Sequence, residues 1–338
     1  MAHDPLAGFP APLGVPPQFE QPEPPRDSSL PPEPMRPRIW LHFVLFGLTL
    51  VSMMITSIFH EGWSAPAGHS VLGWGAYQAI SLLSILLVHE FGHYIAARIH
   101  RVPASPPYFL PLPFLGYFGT LGAVITMNDR IRSRRALLDI GAAGPLAGMI
   151  VALPVLFFGL RLSHVIPRAT SHYIQEGQSI LYWLMKRLVF GPLRADQDVD
   201  LHPMAFAGWG GFMLTMINLL PWGQLDGGHI AFALFGDNQH RFARWFRRGL
   251  LLVFVYNLFT FVLPALLKRS NQSVGDAAAT SMFWLLWFGI TALMARFSGE
   301  EHPPFEPEPL DLGRQLIAVA CLVLFVLLFL PTPMAFYS

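Results

Sequence analysis

Apolar residues along this chain come in long runs. Those at 40–59, 71–98, 137–160, 204–222, 249–267, 281–297 and 314–331 each approach the about 20 helical residues that cross a bilayer core, and they predict seven spans. The run at 179–190 is too short to span and predicts a helix lying on the membrane surface. A shorter piece, 229–236, follows the fourth span and reads as its broken continuation. Residues 1–38 differ in kind. They hold twelve of the 31 prolines and predict a disordered tail, with no apolar run after a basic start that would make it a secretory signal.

Between the second and third spans, Pro103, Pro106, Pro107, Pro111 and Pro113 preclude a continuous helix. Tyr117–Thr126, with Gly119 and Gly122, suits a strand or hairpin, so 103–127 predicts a membrane-associated hairpin after the second helix. The expected organisation is a tail (1–38), a first helix with an outside loop (39–70), a core (71–236) and C-terminal helices (237–338).

Composition agrees with this pattern. Charged residues make up 13% of the chain, against about 25% in soluble domains, and mean hydropathy is +0.45. The expected fold class is therefore an all-α polytopic membrane protein. A formal charge of +1 argues against nucleic acid as a partner, and one cysteine, Cys321, excludes an intrachain disulfide or a multi-thiolate metal site. Arg98, Arg101, Arg130, Arg132, Arg134 and Arg135 lie between spans two and three, and Arg241, Arg244, Arg247 and Arg248 follow span four. The loop 60–70 has no Lys or Arg. The bias predicts a cytoplasmic N-terminus.

Candidate chemistry sits in the second run. His89-Glu90-Phe91-Gly92-His93 is HExxH, whose i, i+4 spacing puts two imidazoles on one helix face, able to hold Zn²⁺, with Glu90 placed to act as general base. Such groups are costly in a membrane helix unless they serve a function. Catalytic zinc wants a third protein ligand, and Asp226, in Asn218-Leu219-Leu220-Pro221-Trp222-Gly223-Gln224-Leu225-Asp226-Gly227-Gly228, lies at matching depth. Pro221 and the glycines predict a helix break there. His229 and Asp139 are rival third ligands, readable otherwise as a helix-end histidine and an N-terminal acid.

The ordered pairing of His89-Glu90-Phe91-Gly92-His93 with Asn218-Leu219-Leu220-Pro221 and Leu225-Asp226-Gly227 resembles the site-2 protease family of intramembrane zinc metalloproteases. Between them, Asp139–Gly148 looks like that family's Gly-rich third core span. The resemblance implies that His89, His93 and Asp226 bind one zinc, that Glu90 activates water, and that Asn218 helps bind the substrate backbone or oxyanion. It also implies that the hairpin, through Gly119 and Thr120, pairs with an extended, membrane-anchored substrate. Unlike many members, this chain has too few residues at 161–203 for a PDZ domain. An adaptor bound by the tail is a further expected partner, and a bacterial inner membrane the expected location.

A metal-ion or proton-coupled transporter is the rival function, because intramembrane His and Asp also mark ion pathways. It predicts further polar groups across several spans, of which Asn257 is the main candidate. His100, His164, His172 and His202 read as loop or interface residues, and Trp40, Trp63, Trp74 and Trp209 as membrane-interface anchors.

Overall fold

The computed structural model describes residues 38–59, 70–113, 118–127, 131, 133–168, 173–298 and 308–337. All of the expected tail but its last residue, Trp63, His172 and the 114–117 part of the expected hairpin fall outside them. The protein is an integral membrane protein built mostly of helices.

The first helix, α1 (Ile39–Phe59), is polar on the inside. It buries Thr49, Ser52, Thr56 and Ser57 against the protein and turns Phe43, Leu48 and Val51 outward. That inversion suits lipid, where apolar side chains meet hydrocarbon and hydroxyls need protein partners. The second helix, α2 (Val71–Ile99), starts at Ser70, whose side chain accepts from the Gly73 N–H.

The proline-rich stretch then forms the expected hairpin, β1 (Tyr108–Pro111) against β2 (Thr120–Val124), antiparallel with a register shift between Phe109 and Pro111. It docks on α1. The Ser52 hydroxyl donates to the Gly119 carbonyl at 2.6 Å, and His42 Nδ1 lies 3.0 Å from the Pro107 oxygen. Phe118 reaches the aromatic rings of Phe206 and Trp209.

Next comes α3 (Arg134–Arg161), 28 residues with Pro145 and Pro154 inside it. The connection that follows contains β3 (His164–Pro167), β4 (Tyr173–Glu176), α4 (Ile180–Phe190) and β5 (Gln197–Asp200). β3 pairs with β5. The 179–190 run is indeed a short helix, with Ile180, Trp183, Leu184 and Leu188 exposed along one side. Its inner side is pinned by Glu176, which accepts from Lys186 Nζ at 3.0 Å and from the Tyr182 hydroxyl at 2.8 Å.

The fourth apolar run is divided. α5 (Pro203–Asn218) ends, the chain turns through 219–225, and α6 (Asp226–Phe235) begins. α7 (Gln239–Asn257) runs on through a π-helical stretch, Leu258–Val262, into α8 (Leu263–Leu266). Pro264 supplies the cause, since it lacks the N–H for the Thr260 carbonyl and its ring clashes there. α9 (Val274–Ser298) and α10 (Leu312–Leu328) follow, and β6 (Met334–Tyr337) returns to pair with β4.

Among the described residues, five helices are long and apolar enough to cross a membrane: α1, α2, α3, the run Arg241–Leu266, and α9 through Leu293. The other two expected spans are shorter, α5 with 16 residues and α10 with 17. α5 packs against both α2 and α3, which pack against each other, giving a three-helix centre. Trp209 belongs to that centre. It was expected as an interface anchor, but it is fully buried on α5 and its Nε1 donates to the Gly177 carbonyl at 2.9 Å. Trp40 is exposed on α1, and Trp74 packs edge-on against His202.

Candidate metal centre

α2 carries His89, Glu90 and His93, all buried. The helical i, i+4 spacing sets the two imidazoles one above the other, with their Nε2 atoms 3.1 Å apart. Asp226 is the first residue of α6, where the helix dipole favours a carboxylate. One of its oxygens, Oδ2, lies 3.2 Å from His89 Nε2, and the other, Oδ1, 3.3 Å from His93 Nε2.

The break before α6 brings Asp226 there. Gly223 takes a φ of +56°, and Gly227 lies so close to the Leu219 carbonyl that a Cβ would come within 2.0 Å of the oxygen. The sequence Gly223-Gln224-Leu225-Asp226-Gly227 therefore folds back tightly under the end of α5. Asn218, the last residue of α5, places its Nδ2 3.3 Å from His89 Nε2.

α3 supplies the floor. The main-chain oxygen of Ile140 lies 2.7 Å from His93 Nδ1, which donates to it, so in the neutral ring Nε2 is the nitrogen left to bind a cation. Gly144 is pressed against the same ring: a Cβ there would stand 2.0 Å from His93 Nε2. Gly92 on α2 meets Ala143 of α3 in the same way: a Cβ there would stand 2.5 Å from the Ala143 carbonyl oxygen.

A metal ion fits this donor set. Tetrahedral zinc with ligands near 2.0–2.1 Å has ligand–ligand edges of about 3.3 Å, close to the three distances seen. Two imidazole nitrogens facing each other at 3.1 Å need a cation or proton between them. Among the described residues, His89, His93 and Asp226 are the one group of three such side chains able to hold a metal.

Residues 77–261, more than half of the chain, match the pattern of peptidase family M50. The chain belongs to peptidase family M50. Among curated proteins, this M50 chain is 38% identical over 167 residues to the probable zinc metalloprotease EGY1, chloroplastic, of Arabidopsis thaliana, covering 47% of the chain and 30% of the relative. It is 34% identical over 169 residues to the probable zinc metalloprotease EGY2, chloroplastic, of Oryza sativa subsp. indica, covering 48% and 30%. The EGY2 protein of Arabidopsis thaliana is 30% identical over 219 residues, covering 62% and 38%. The chain thus spans about a third of the length of these relatives. No solved structure matches it.

The remaining candidates lie elsewhere in this M50 fold. Asp139 accepts a forked pair from Arg314 and faces His100 Nε2 at 2.8 Å, so it latches α10 to α3. His229 sits one turn past Asp226 against Gly141, outside the converging group. His202 caps α5, its Nδ1 accepting from the Met204 N–H, and His164 is exposed on β3. Asn257 anchors the chain after α10, donating to the Val253 and Pro331 carbonyls at 2.9 Å.

Gly119 and Thr120 are not at the metal centre's ligands. Gly119 has a φ of +68° and lies against Ser52 and Met53, while the Thr120 hydroxyl closes the hairpin between the Leu110 carbonyl and the Gly122 N–H. Ile140, Gly144 and Gly92 are the contributors that residue-by-residue reasoning passed over. For Ile140 and Gly144 the signal lay in the Gly-rich run Asp139–Gly148, and for Gly92 in its place between His89 and His93.

Proposed function

We propose that the chain is a zinc metalloprotease that hydrolyses a peptide bond within or near a transmembrane segment of a membrane-anchored protein. The observation that carries this reading is the convergence of His89, His93 and Asp226 within 3.1–3.3 Å of one another, with Glu90 buried in the same helical turn. The printed names of the EGY1 and EGY2 relatives support it.

His89 and His93 would hold zinc through Nε2, and Asp226 through a carboxylate oxygen. Bound there, zinc supplies a Lewis acid and makes water acidic near neutral pH. Glu90 is the general base: its carboxylate takes the proton of the attacking water and returns it to the leaving amine nitrogen. Ile140 keeps the His93 ring in one orientation through its carbonyl. Asn218 offers an amide donor beside His89, suited to an oxygen that gains charge as the carbonyl is attacked.

A substrate helix hides its carbonyls, so the scissile segment must unwind. Strand addition to the β1–β2 hairpin provides extended backbone, and α1 already occupies the β1 side, which leaves β2 as the pairing edge. Gly119 and Thr120 then act by shaping the start of that edge. The bilayer is the second partner and an adaptor on the tail a third. The N-terminus faces the cytoplasm, on the arginine bias around spans two to four, in a bacterial inner membrane; the chloroplast location printed for the relatives is the alternative. The transporter reading needs polar groups along a path, whereas Asn257 is engaged by the Val253 and Pro331 carbonyls and the Thr332 hydroxyl.

The test is zinc content together with cleavage of a transmembrane reporter, in wild type, Glu90→Gln and Asp226→Ala. Zinc in the first two but little in Asp226→Ala, with cleavage in wild type alone, is expected. Absence of zinc from metal-replete wild type would sink the protease reading, and full retention in Asp226→Ala would move the third ligand.

A further inference from the structure

Asp226 begins α6, and its place at the imidazoles depends on how the whole of that ten-residue helix is held. The tight turn before it decides where the chain enters α6. The N-cap residue, Leu225, makes no side-chain cap bond, so the tilt of the helix has to be set further along.

The far end is gripped by Arg134, the first residue of α3. Its Nε donates to the Ala233 carbonyl and its Nη2 to the Leu234 carbonyl, the latter at 3.1 Å. Both carbonyls belong to the last turn of α6, where a helix cannot supply partners of its own. A guanidinium forks across two neighbouring carbonyls, and its charge suits the negative end of the helix dipole. Two helical turns along α3, Gly141 meets the other end of α6: a Cβ there would stand 3.2 Å from His229 Cβ and 3.4 Å from the Asp226 main-chain oxygen. Positions i and i+7 share one helix face, so a single side of α3 holds α6 at both ends.

The same helix orients His93 through the Ile140 carbonyl, and Asp226 Oδ1 reaches His93 Nε2 at 3.3 Å. α3 is thus the common frame for two of the three residues that converge. Asp226 lies about one turn from the Gly141 contact, so a tilt of about 10° about that contact would move it by roughly 1 Å. A metal–ligand bond tolerates about 0.2 Å.

We propose that Arg134 is a positioning residue for the metal centre: by holding the last carbonyls of α6 it fixes the Asp226 carboxylate at His89 and His93. The inference rests on the reading of Asp226 as a zinc ligand.

The experiment uses the full chain purified in detergent. Zinc affinity is measured by competition with a chromophoric chelator, and ligand geometry by the visible absorption of the protein loaded with Co²⁺. Wild type is expected to bind zinc. R134Q should bind it about tenfold more weakly and give a weaker, shifted Co²⁺ band, because the carboxylate no longer completes the tetrahedron. R134K, which keeps the charge but not the fork, should fall between the two, and it carries the test should R134Q fail to give a single elution peak. R135Q alters the neighbouring arginine, which bonds to the Pro309 carbonyl and faces Glu308, and should match wild type in both readouts. A folded R134Q or R134K with wild-type affinity and spectrum overturns the proposal, even where its thermal midpoint has dropped, since Arg134 would then only brace the fold. So does an equal loss in R135Q. Failure of wild type itself to take up zinc would overturn the zinc reading along with it, whereas zinc bound equally by wild type and R134Q removes the positioning role alone.

Discussion

His93 directs Nδ1 at the main-chain oxygen of Ile140, 2.7 Å away, so its other ring nitrogen is the one that faces His89 and Asp226. A helix carbonyl thus sets the tautomer of the histidine proposed as a zinc ligand on a neighbouring helix. Such outer partners are worth about 10–100-fold in metal affinity. The arrangement depends on α2 and α3 lying close enough for the ring to touch backbone.

Gly144→Ala tests that closeness. Its Cβ would stand 2.0 Å from His93 Nε2, so the ring must leave its place. Zinc affinity, measured by competition with a chromophoric chelator, should fall about 10–100-fold. Gly289→Ala, where a Cβ meets nothing within 4 Å, should leave it unchanged. Equal affinity in both variants would show that the Ile140–His93 contact does not matter.

Gly119→Val should damage the hairpin without touching the metal. At φ +68° a side chain is strained, by about 1–2 kcal/mol, and its Cβ would meet the Ser52 carbonyl at 2.7 Å. Zinc content should stay at the wild-type level while cleavage of a transmembrane reporter drops. Undiminished cleavage would remove the hairpin from the substrate path.

Glu176 ties the connection between α3 and α5 together through Lys186 and Tyr182. Lys186 is buried beside it, and Tyr182, whose hydroxyl also bonds to Glu176, has its own ionisation pushed well up by burial. Glu176→Ala leaves the Lys186 charge without its nearest partner and should cost about 3–5 kcal/mol. Chemical unfolding followed by Trp fluorescence measures this. A loss below about 1 kcal/mol would mean that Asp198, 3.7 Å from Lys186, already suffices.

Arg314 holds α10 on α3 through its forked contact with Asp139. Arg314→Leu and Asp139→Asn should each lower the thermal midpoint by a few degrees. The double variant should lose no more than the worse single one by more than about 0.5 kcal/mol. Additive losses would show that the two residues act separately. Zinc content should not change in any of the three.

The sequence by itself determined what is local. Helical spacing alone puts His89 and His93 on one face with Glu90 in the same turn, and Pro221 with Gly223 and Gly227 demands a break between α5 and α6. The length of the apolar runs foretold a membrane bundle, and proline density foretold the hairpin. Each of these follows from rules acting within a few residues.

Tertiary structure decided what crosses long stretches of chain. Asp226 was the leading third-ligand candidate with Asp139 and His229 as rivals, and packing is what turns the Asp226 carboxylate to the imidazoles, 137 residues from His89, while Asp139 goes to Arg314. Trp209 looked like an interface residue because its neighbours are apolar, but whether those neighbours are lipid or protein is a matter of which helices surround α5. The β4–β6 pairing joins residues that no local pattern links, and it is stabilised by Asn257 and Trp284 side chains bonded to the chain between α10 and β6. A side chain's identity fixes what it can bond, but its partner is set by where the rest of the chain places a matching group at bonding distance.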